Sequence, residues 1–446
     1  MHDNDLVILG GGITALSFAY YIKKYKPKCH FKILIDQPKS GGVVLSEISN
    51  NIVFEWGPRG IRPSGKGQQV LELVEELGLW DQLVFADSKA KKRYIYINTE
   101  LHLIPYNLRT FIKSPFLKIF RKAFIKDLRS KKRPISDESI ASFMDRHFGK
   151  EFRQVFIDSM VSGIWAGNIE EMSVSACFPS LKYAEKSKYS VIKGMLRINN
   201  SSPDYKLYEN RIRKKALFSF KSGIQTLTNR LTEELKDHIM YNHEVLSIQS
   251  NSKVKTITNK GDFISDKCVS TLPAYIMKNI TEKPLSKFLK TIEYAPLALV
   301  NMVVPKKEME FDGFGFLVPS KESSPVLGMV ANSNIFEEHC PAHKVSCTFI
   351  IGGARYSFEE LKKIDYKSMV LTWMKDVFKF QGKPLDIRSK IINNAIPQYK
   401  VGHLDIVSSI ENRSDNNVIL LGNYLYGVSM VDIICKSKAL AQSISL

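Results

Sequence analysis

A glycine-rich turn near the start of the chain constrains the fold more than any other sequence feature. The apolar run Leu6–Leu9 predicts a buried strand, Ala15–Lys24 predicts a helix, and Phe31–Ile35 predicts a second parallel strand. Between the first strand and the helix lies the pattern Gly10-x-Gly12-x-x-Ala15, and Asp36 follows the second strand. This order predicts a β-α-β dinucleotide-binding unit.

The turn also predicts which residues contact the dinucleotide. Glycines let the backbone approach a pyrophosphate without a Cβ clash, and the N-terminus of the following helix supplies N–H donors and a positive dipole. A carboxylate at the end of the second strand accepts hydrogen bonds from ribose hydroxyls. The candidate residues are Gly10, Gly11, Gly12, Ile13, Thr14, Ala15 and Asp36. The pattern fits both NAD and FAD.

Length and composition set wider bounds. A chain of 446 residues predicts two or three domains, and its 44% hydrophobic content is that of an ordinary globular protein. The formal charge of +19 favours an anionic partner, either a membrane surface or nucleic acid. The six cysteines show no C-x-x-C pair, which suggests reduced thiols in a protein that is not secreted, and we predict no metal site.

Several ordered segments resemble the protoporphyrinogen oxidase family, flavoenzymes of haem synthesis within the amine-oxidase-like superfamily. The most informative is Phe54-Glu-Trp-Gly-Pro-Arg-Gly-Ile-Arg-Pro63. Others are Lys39-Ser-Gly-Gly42, Asp158-Ser-Met-Val-Ser-Gly-Ile-Trp-Ala-Gly-Asn168, Gly313-Phe-Gly-Phe-Leu-Val-Pro319 and Gly422…Tyr426-Gly-Val-Ser-Met-Val-Asp432. The chain departs from the family at Lys39 and Val43, and at Ser437-Lys438, where the family has Ser-Gly.

The resemblance implies an α/β fold with a discontinuous Rossmann-like FAD-binding domain, a mixed-sheet substrate domain and a helical membrane-facing domain. Residues 1–85, 216–285 and 401–446 would form the FAD-binding domain. Residues 86–215 would form the helical, substrate-side domain, and residues 286–400 the substrate-binding sheet. The polar stretch Asn199–Lys215 predicts a loop or boundary.

The resemblance favours FAD over NAD and extends the cofactor site. The implied additional residues are Gly41, Gly42, Val43, Gly57, Pro58, Arg59, Gly60, Val245, Gly422, Val428, Ser429 and Met430. We expect the flavin to be non-covalent, because Cys435 falls inside the predicted last helix, where a buried thiol is the common outcome.

By the same resemblance, the reaction is the six-electron oxidation of protoporphyrinogen IX to protoporphyrin IX, with molecular oxygen as acceptor. A tetrapyrrole with propionates is flat, apolar and anionic at its edge, so it requires an apolar slot and a fixed cation. The implied substrate residues are Arg109, which would hold a propionate, with Gly163, Gly167, Phe314, Gly315 and Leu317. No acid–base side chain is assigned, because the flavin carries the redox step.

The segment from Tyr106 to Pro134 contains ten Lys or Arg residues and one acid, Asp127. Ile112, Phe116, Phe120, Ala123, Phe124 and Leu128 recur at helical spacing, with lysines and arginines on the other face. An interfacial helix on an anionic membrane has this pattern, whereas no nucleic-acid recognition fold accompanies the charge. We therefore expect a peripheral membrane protein, on a bacterial inner membrane (cytoplasmic side) or a mitochondrial inner membrane.

Two alternatives stay open. A relative of the same fold could oxidise coproporphyrinogen III to coproporphyrin III, and two more propionates would favour additional cations in the slot. A non-catalytic flavin- or porphyrin-binding membrane protein is the other alternative. The resemblance also leaves open a homodimer and hand-over of the product to ferrochelatase.

Overall fold

A computed structural model describes residues 2–86, 88–130, 134–199, 208, 212, 216–413 and 417–446. It contains strands that we number in chain order: β1 (His2–Leu9), β2 (Phe31–Ile35), β3 (Ser46–Ser49), β4 (Ile52–Glu55), β5 (Leu83–Phe85), β6 (Arg93–Ile97), β7 (Glu100–Leu103), β8 (Phe218–Phe220), β9 (Ile239–Tyr241), β10 (Val245–Ser250), β11 (Val254–Thr258), β12 (Gly261–Ser270), β13 (Tyr294–Pro305), β14 (Gly315–Leu317), β15 (Val326–Val330), β16 (Lys344–Gly352), β17 (Asp386–Pro397) and β18 (Val418–Leu420).

The α-helices, numbered in the same way, are α1 (Ile13–Tyr25), α2 (Gly67–Glu76), α3 (Leu108–Ile112), α4 (Leu117–Leu128), α5 (Ile140–His147), α6 (Lys150–Phe152), α7 (Asp158–Trp165), α8 (Val174–Cys177), α9 (Pro179–Lys188), α10 (Val191–Asn199), α11 (Gln225–Glu234), α12 (Ala274–Ile280), α13 (Leu285–Leu289), α14 (Asn332–Ile335), α15 (Phe358–Lys362), α16 (Tyr366–Phe378), α17 (His403–Glu411), α18 (Asn423–Tyr426) and α19 (Met430–Ser443). A π-helical turn, Arg153–Ile157, joins α6 to α7.

The chain divides into two compact units. Unit 1 comprises residues 1–85, 205–293 and 406–446, and unit 2 comprises residues 86–204 and 294–405. Unit 1 consists of three segments whose boundaries differ by up to eleven residues from those of the three predicted FAD-binding segments. The helical region and the sheet region, predicted as separate domains, lie together in unit 2.

Unit 1 is built on a seven-stranded sheet with the order β10-β11-β12-β1-β2-β9, and β18 also pairs with β12. Strand β1 is parallel to both of its neighbours, β12 and β2. Its residues Leu6–Leu9 are fully buried, which is expected of a parallel strand covered on both faces. Helices α1 and α19 pack side by side in this unit, and buried residues of α1, α2 and α11 join its core.

Unit 2 is built on a second seven-stranded sheet with the order β17-β13-β16-β15-β14-β6-β7. Its pairings are antiparallel except that between β14 and β6, which is parallel. Tyr366, Val370 and Met374 of α16 are buried in the core with residues of β13, β15 and β16. The predicted α/β class with a mixed sheet is confirmed.

The predicted strand Phe31–Ile35 is observed over its predicted range, and the predicted helix Ala15–Lys24 extends from Ile13 to Tyr25. The sequence did not predict β17, a twelve-residue strand at the edge of the unit 2 sheet. The predicted boundary loop, Asn199–Lys215, lies almost entirely outside the described residues.

None of the helices within the described ranges has both the length and the apolar character that crossing a membrane requires. Within the same part of the chain, His, Cys, Asp and Glu side chains form no group of three or more that could hold a metal ion.

Candidate functional site

In unit 1 the two glycine turns predicted to contact the cofactor lie against each other. The Gly41 N–H donates to the Gly11 carbonyl at 2.7 Å, and Gly12 forms an isolated bridge with Gly41. Gly42 has φ +60, and a Cβ there would lie 3.1 Å from the Cα of Gly12. This close backbone approach requires glycine, so Gly10–Ala15 and Gly41–Gly42 form one continuous surface.

The N-terminus of α1 has the features of an anion-binding site. Gly12 is the N-cap residue, and within the described chain no side chain caps the helix, so its first N–H groups lack a side-chain acceptor. A Cβ built on Gly12 meets nothing within 4 Å, so open space lies in front of these donors. Donors, space and the positive end of a thirteen-residue helix together fit a pyrophosphate.

The predicted ribose carboxylate lies at the end of β2. Asp36 is exposed, and the adjacent Ile35 carbonyl accepts from the N–H of His243 at 2.8 Å. Val245, two residues further along, begins β10. This hydrogen bond therefore brings together the chain segments that carry Asp36 and Val245, which are both predicted cofactor residues.

The C-terminal segment also reaches this region. Ser429 caps α19 by accepting from the Asp432 N–H at 3.1 Å, with Val428 and Met430 on either side of it in the sequence. The Ser437 hydroxyl donates to the Thr14 carbonyl at 3.4 Å, which connects α19 to the first turn of α1. Gly422 is the N-cap of α18, just after β18. A last helix that contains Cys435 is therefore present, as predicted, despite the departure at Ser437-Lys438.

The loop from Gly57 to Gly60 packs close to the second glycine turn. A Cβ on Gly57 would lie 2.2 Å from the carbonyl oxygen of Val43, so the loop cannot accept a larger residue there without moving. Pro58, Arg59 and Gly60 complete the loop, and all are partly buried.

The Nε and Nη2 atoms of Arg59 are buried and have no hydrogen-bond partner among the described residues. Burial lowers the pKa of the Arg59 guanidinium to about 10, and the neighbouring Glu55 carboxylate partly opposes that shift. A buried donor left unpaired costs about 1–3 kcal/mol, more for a charged group. These atoms therefore fit an acceptor-rich group such as a flavin or its phosphates.

Glu55, which the sequence analysis did not single out, fixes this loop to the rest of unit 1. Its carboxylate accepts from the Ile224 N–H at 2.8 Å and from the Ser46 hydroxyl at 2.7 Å. Burial raises the pKa of Glu55 to about 7, against the opposing effects of these hydrogen bonds and of Arg59. No local sequence signal identifies this role, because Ile224 is far from Glu55 in the chain.

Unit 2 contains a cavity of about 250 Å³ whose walls are mostly apolar. Four of the six predicted substrate residues line it: Gly163, Phe314, Gly315 and Leu317. Arg109 and Gly167 are not among its lining residues. Arg109 is exposed on α3, and Gly167 packs against Met172 and Gln398.

Glycines allow the walls of this cavity to approach one another. Gly315 has φ +153, and a Cβ there would lie 2.0 Å from the Met329 carbonyl oxygen of the paired strand β15. A Cβ on Gly163 of α7 would lie 2.5 Å from Cδ2 of Leu317. The remaining lining includes Met160, Ile164, Leu327 and Met329, which the sequence did not predict.

Arg93 supplies a cation at the same cavity. It lines the cavity at the start of β6, opposite Gly315 in the parallel pairing with β14. Its guanidinium carbon lies 4.7 Å from the centroid of the Phe314 ring. From the sequence, the fixed cation was assigned to Arg109, and Arg93 was not predicted at this site.

The basic segment forms two helices, α3 and α4, in unit 2. Phe116 and Ala123 are buried, and Phe120 packs on Phe152 and Phe156, so part of the predicted aromatic stripe faces its own unit. The exposed apolar side chains of these helices are Leu108, Ile112, Phe124, Ile125 and Leu128. The surface of α3 and α4 therefore combines exposed apolar side chains with cations.

Asp127, the one acid of the basic segment, is fully buried. Its carboxylate contacts Nδ1 of His147 at 2.6 Å and accepts from the Ser190 hydroxyl at 2.7 Å. The N–H groups of Val191 and Ile192, at the start of α10, complete its partners. Asp127 therefore holds α4 against α5 and α10 and leaves no carboxylate on the exposed face of α4.

Comparison with known proteins agrees with this architecture. The family model of the flavin-containing amine oxidoreductases matches residues 33–432. The chain belongs to the flavin-containing amine oxidoreductase family, and FAD is the cofactor of this class.

Among curated relatives, the chain is similar to protoporphyrinogen oxidase of Homo sapiens, with 30% identity over 433 residues, which is 89% of this chain and 88% of the relative. It is also similar to protoporphyrinogen oxidase of Schizosaccharomyces pombe, with 29% identity over 99% of this chain and 98% of the relative. The resemblance to protoporphyrinogen oxidases predicted from the sequence is therefore confirmed.

Solved structures share the fold. A protein from Exiguobacterium sp. 255-15, provisionally named a protoporphyrinogen oxidase, superposes with a TM-score of 0.82 at 21% identity and covers 99% of this chain and 98% of its own. Reduced UDP-galactopyranose mutase superposes with a TM-score of 0.72 at 12% identity, over 98% of this chain and 94% of its own.

Proposed function

We propose that the protein catalyses the FAD-dependent oxidation of protoporphyrinogen IX to protoporphyrin IX, a six-electron reaction with molecular oxygen as the final acceptor. The observation that carries the proposal is the cavity of unit 2, in which apolar walls and a cation, Arg93, occur together. A flat apolar ring with carboxylates on its edge requires that combination. The similarity to protoporphyrinogen oxidases over most of the chain supports the same substrate.

In this proposal the side chains of unit 2 bind and orient the ring. Phe314 and Leu317 contact its apolar faces, Gly163 and Gly315 leave room for it, and Arg93 pairs with a propionate. Arg93 is exposed, so stacking on Phe314 rather than burial holds its guanidinium in place. Arg109 remains a second candidate for a propionate, although it lies outside the lining of the cavity.

The residues of unit 1 hold the cofactor. Gly10–Ala15 and Gly41–Gly42 would face the pyrophosphate, Asp36 the ribose, and Arg59 an acceptor on the flavin or its phosphates. When bound, FAD supplies the two-electron oxidation chemistry. The chain itself contributes binding, orientation and the exclusion of water, and we assign no acid–base side chain.

The assay that tests this function uses the FAD-loaded protein in detergent and air, with porphyrin fluorescence as readout. We expect protoporphyrin to form from protoporphyrinogen IX faster than coproporphyrin forms from coproporphyrinogen III, because the lining of the cavity offers one cation, Arg93. A reversed preference would favour the coproporphyrinogen alternative. Tight porphyrin binding without turnover would favour a non-catalytic carrier.

We further propose that α3 and α4 attach the protein to an anionic membrane surface. The exposed apolar side chains of α3 and α4 are accompanied by exposed cations, among them Lys118, Arg121 and Arg129. Apolar insertion together with about 1 kcal/mol for each cation near an anionic leaflet is sufficient for peripheral binding. A homodimer and hand-over of product to ferrochelatase remain predictions from the resemblance.

A further inference from the structure

A second cavity of unit 2, of about 340 Å³, has a different character from the apolar one. We call it the cationic cleft. Four of its lining side chains are positively charged (Lys150, Arg153, Lys321 and Arg355) and two are negatively charged (Asp158 and Glu170). The lining therefore carries an excess of two positive charges, which Asp145, paired with Arg153 outside the lining, reduces to one.

The floor of the cleft is fixed by buried charged groups. Asp158 is almost completely buried and accepts from the Ser320 N–H at 2.6 Å, while its other oxygen pairs with Arg355 at 2.5 Å. Arg153, also buried, pairs with Asp145 at 2.8 Å and with Glu170 at 2.7 Å. These groups are held in place before any ligand arrives.

The excess charge comes from two lysines on separate elements. Lys150 begins α6, and Lys321 lies in the turn after β14. Neither lysine has an ion-pair partner within the parts of the chain described here, and both side chains are exposed at the cleft. Two cations that face one cavity repel each other. An anion bound between them would attract both and offset that repulsion.

A π-helical turn shapes this wall. Arg153–Ile157 is π-helical, and the Asp158 N–H donates to the Arg153 carbonyl. Such a turn inserts one extra residue into an otherwise continuous helix, and π-turns occur frequently at functional sites. Here it allows Lys150, Arg153 and Asp158 to line the same cleft.

We propose that the cationic cleft binds a phosphate monoester group. Such a group carries about −1.5 to −2 charges at pH 7, opposite in sign to the excess of the cleft, and its oxygens suit lysine and arginine donors. It can come from a soluble phosphate ester or from the headgroup of phosphatidic acid. A lipid headgroup would lie near the cleft if α4 attaches to a membrane as proposed. Gly149, next to Lys150, is close to α4, because a Cβ on Gly149 would lie 3.8 Å from Nζ of Lys126.

The test uses the FAD-loaded protein, a double variant and a matched control. Lys150→Gln with Lys321→Gln removes the two lysines of the cleft. Lys363→Gln with Lys367→Gln removes the same charge from exposed positions of unit 2 outside it. The probes are glycerol 3-phosphate, followed by phosphorus NMR titration, and phosphatidylcholine vesicles containing phosphatidic acid or, at matched surface charge, phosphatidylglycerol.

We expect the cleft variant to bind glycerol 3-phosphate about tenfold or more weakly than the unmodified protein, and the control to change by less than about twofold. A preference for phosphatidic acid vesicles that disappears in the cleft variant assigns the ligand to the membrane. Loss of glycerol 3-phosphate binding alone assigns it to a soluble ester. Equal weakening in both variants, or no binding to the unmodified protein, overturns the proposal.

Porphyrin formation is measured on the same samples, so that the two proposals fail separately. Neither Lys150 nor Lys321 lines the apolar cavity, and we therefore expect unchanged turnover in detergent. If the protein binds phosphate at the cleft but forms no porphyrin, the proposed oxidation is contradicted and the proposed phosphate site is supported.

Discussion

The guanidinium of Arg93 lies over the ring of Phe314, with 4.7 Å between Cζ and the ring centroid, at the apolar cavity of unit 2. A cation stacked on an aromatic ring is held in a defined place. Arg93→Ala should raise KM for protoporphyrinogen about ten- to a hundredfold with a smaller effect on kcat. A propionate pair, worth roughly 1.5–3 kcal/mol, is present in both the ground and transition states.

Arg109→Ala is the matched comparison, because the same charge is removed from an exposed position on α3. We expect it to weaken binding to anionic vesicles more than it changes steady-state kinetics in detergent. Arg93→Lys should recover only part of the lost affinity, since an ammonium lacks the planar fork of a guanidinium. If KM is normal in Arg93→Ala and raised in Arg109→Ala, then Arg109 rather than Arg93 binds the propionate.

Gly12 allows the cofactor site to be tested without disturbing the fold. A Cβ there meets nothing within 4 Å, and φ is −81, so the chain should accept a side chain. Gly12→Asp should therefore fold with a melting temperature close to that of the unmodified apoprotein but bind no FAD, because a carboxylate would face the pyrophosphate. Gly12→Ala should weaken FAD binding less. If the visible spectrum shows full flavin content in Gly12→Asp, the glycine turn does not contact the cofactor.

The cofactor region was accessible from the sequence because its signals are local. A glycine turn, its flanking strands and the acid after β2 all occur within about thirty residues, and their periodicity and φ requirements are visible in the order of residues. Arg93, the cation that we propose for the substrate, was not accessible in this way. Arg93 reaches the cavity through the pairing of β6 with β14, which joins positions far apart in the chain.

Two other differences have the same kind of cause. Strand β17 contains Arg-Ser-Lys and Asn-Asn and is half exposed at a sheet edge, so it lacks the apolar run that predicts a strand. Helical spacing identified the apolar stripe of α4 but not which of its residues face protein. Phe116 is buried whereas Phe124 is 39% exposed, and only tertiary packing distinguishes them.

The exposed cations of α4 should control membrane attachment. Lys118, Arg121 and Arg129 are exposed, whereas Lys126 donates to the Asp145 carbonyl and Lys122 lies 3.9 Å from Glu151. Changing the first three to Glu should release the protein from anionic vesicles while FAD content stays unchanged. The control changes Lys363, Lys367 and Lys375 to Glu and should keep its binding. Equal release in both variants would mean that net charge, not α4, governs attachment.

Asp127 predicts how stability depends on pH. Burial alone would raise the pKa of this carboxyl, but hydrogen bonds from His147, the N–H groups of Ile192 and Val191, and Ser190 hold it below its usual range. A carboxyl whose pKa is lower in the folded state than in the unfolded state, where it is about 3.9, stabilises the fold at pH values above 3.9. This stabilisation is lost as the pH falls from about 3.9 through the folded-state pKa. Melting temperatures should therefore fall steeply below about pH 4.

Asp127→Asn should cost roughly 1–3 kcal/mol at pH 7, because an amide cannot accept all the hydrogen bonds that the carboxylate receives and leaves a buried donor unpaired. The exposed Asp376→Asn, in α16 of the same unit, should cost less than about 0.5 kcal/mol. If the two variants unfold at the same temperature across the pH range, Asp127 does not hold α4 in the way that we infer.

Anaerobic mixing of the FAD-loaded protein with protoporphyrinogen IX tests the central claim most directly, because it observes the redox step without oxygen or turnover. We expect the flavin absorbance near its visible maximum to bleach on mixing, because each FAD takes two of the six electrons. Admitting air should restore the flavin, and porphyrin absorbance should rise only then, because the remaining electrons need reoxidised flavin. Arg93→Ala should require higher substrate concentrations for the same bleaching. A flavin that stays oxidised at saturating protoporphyrinogen would contradict the assignment of this chain as the oxidase.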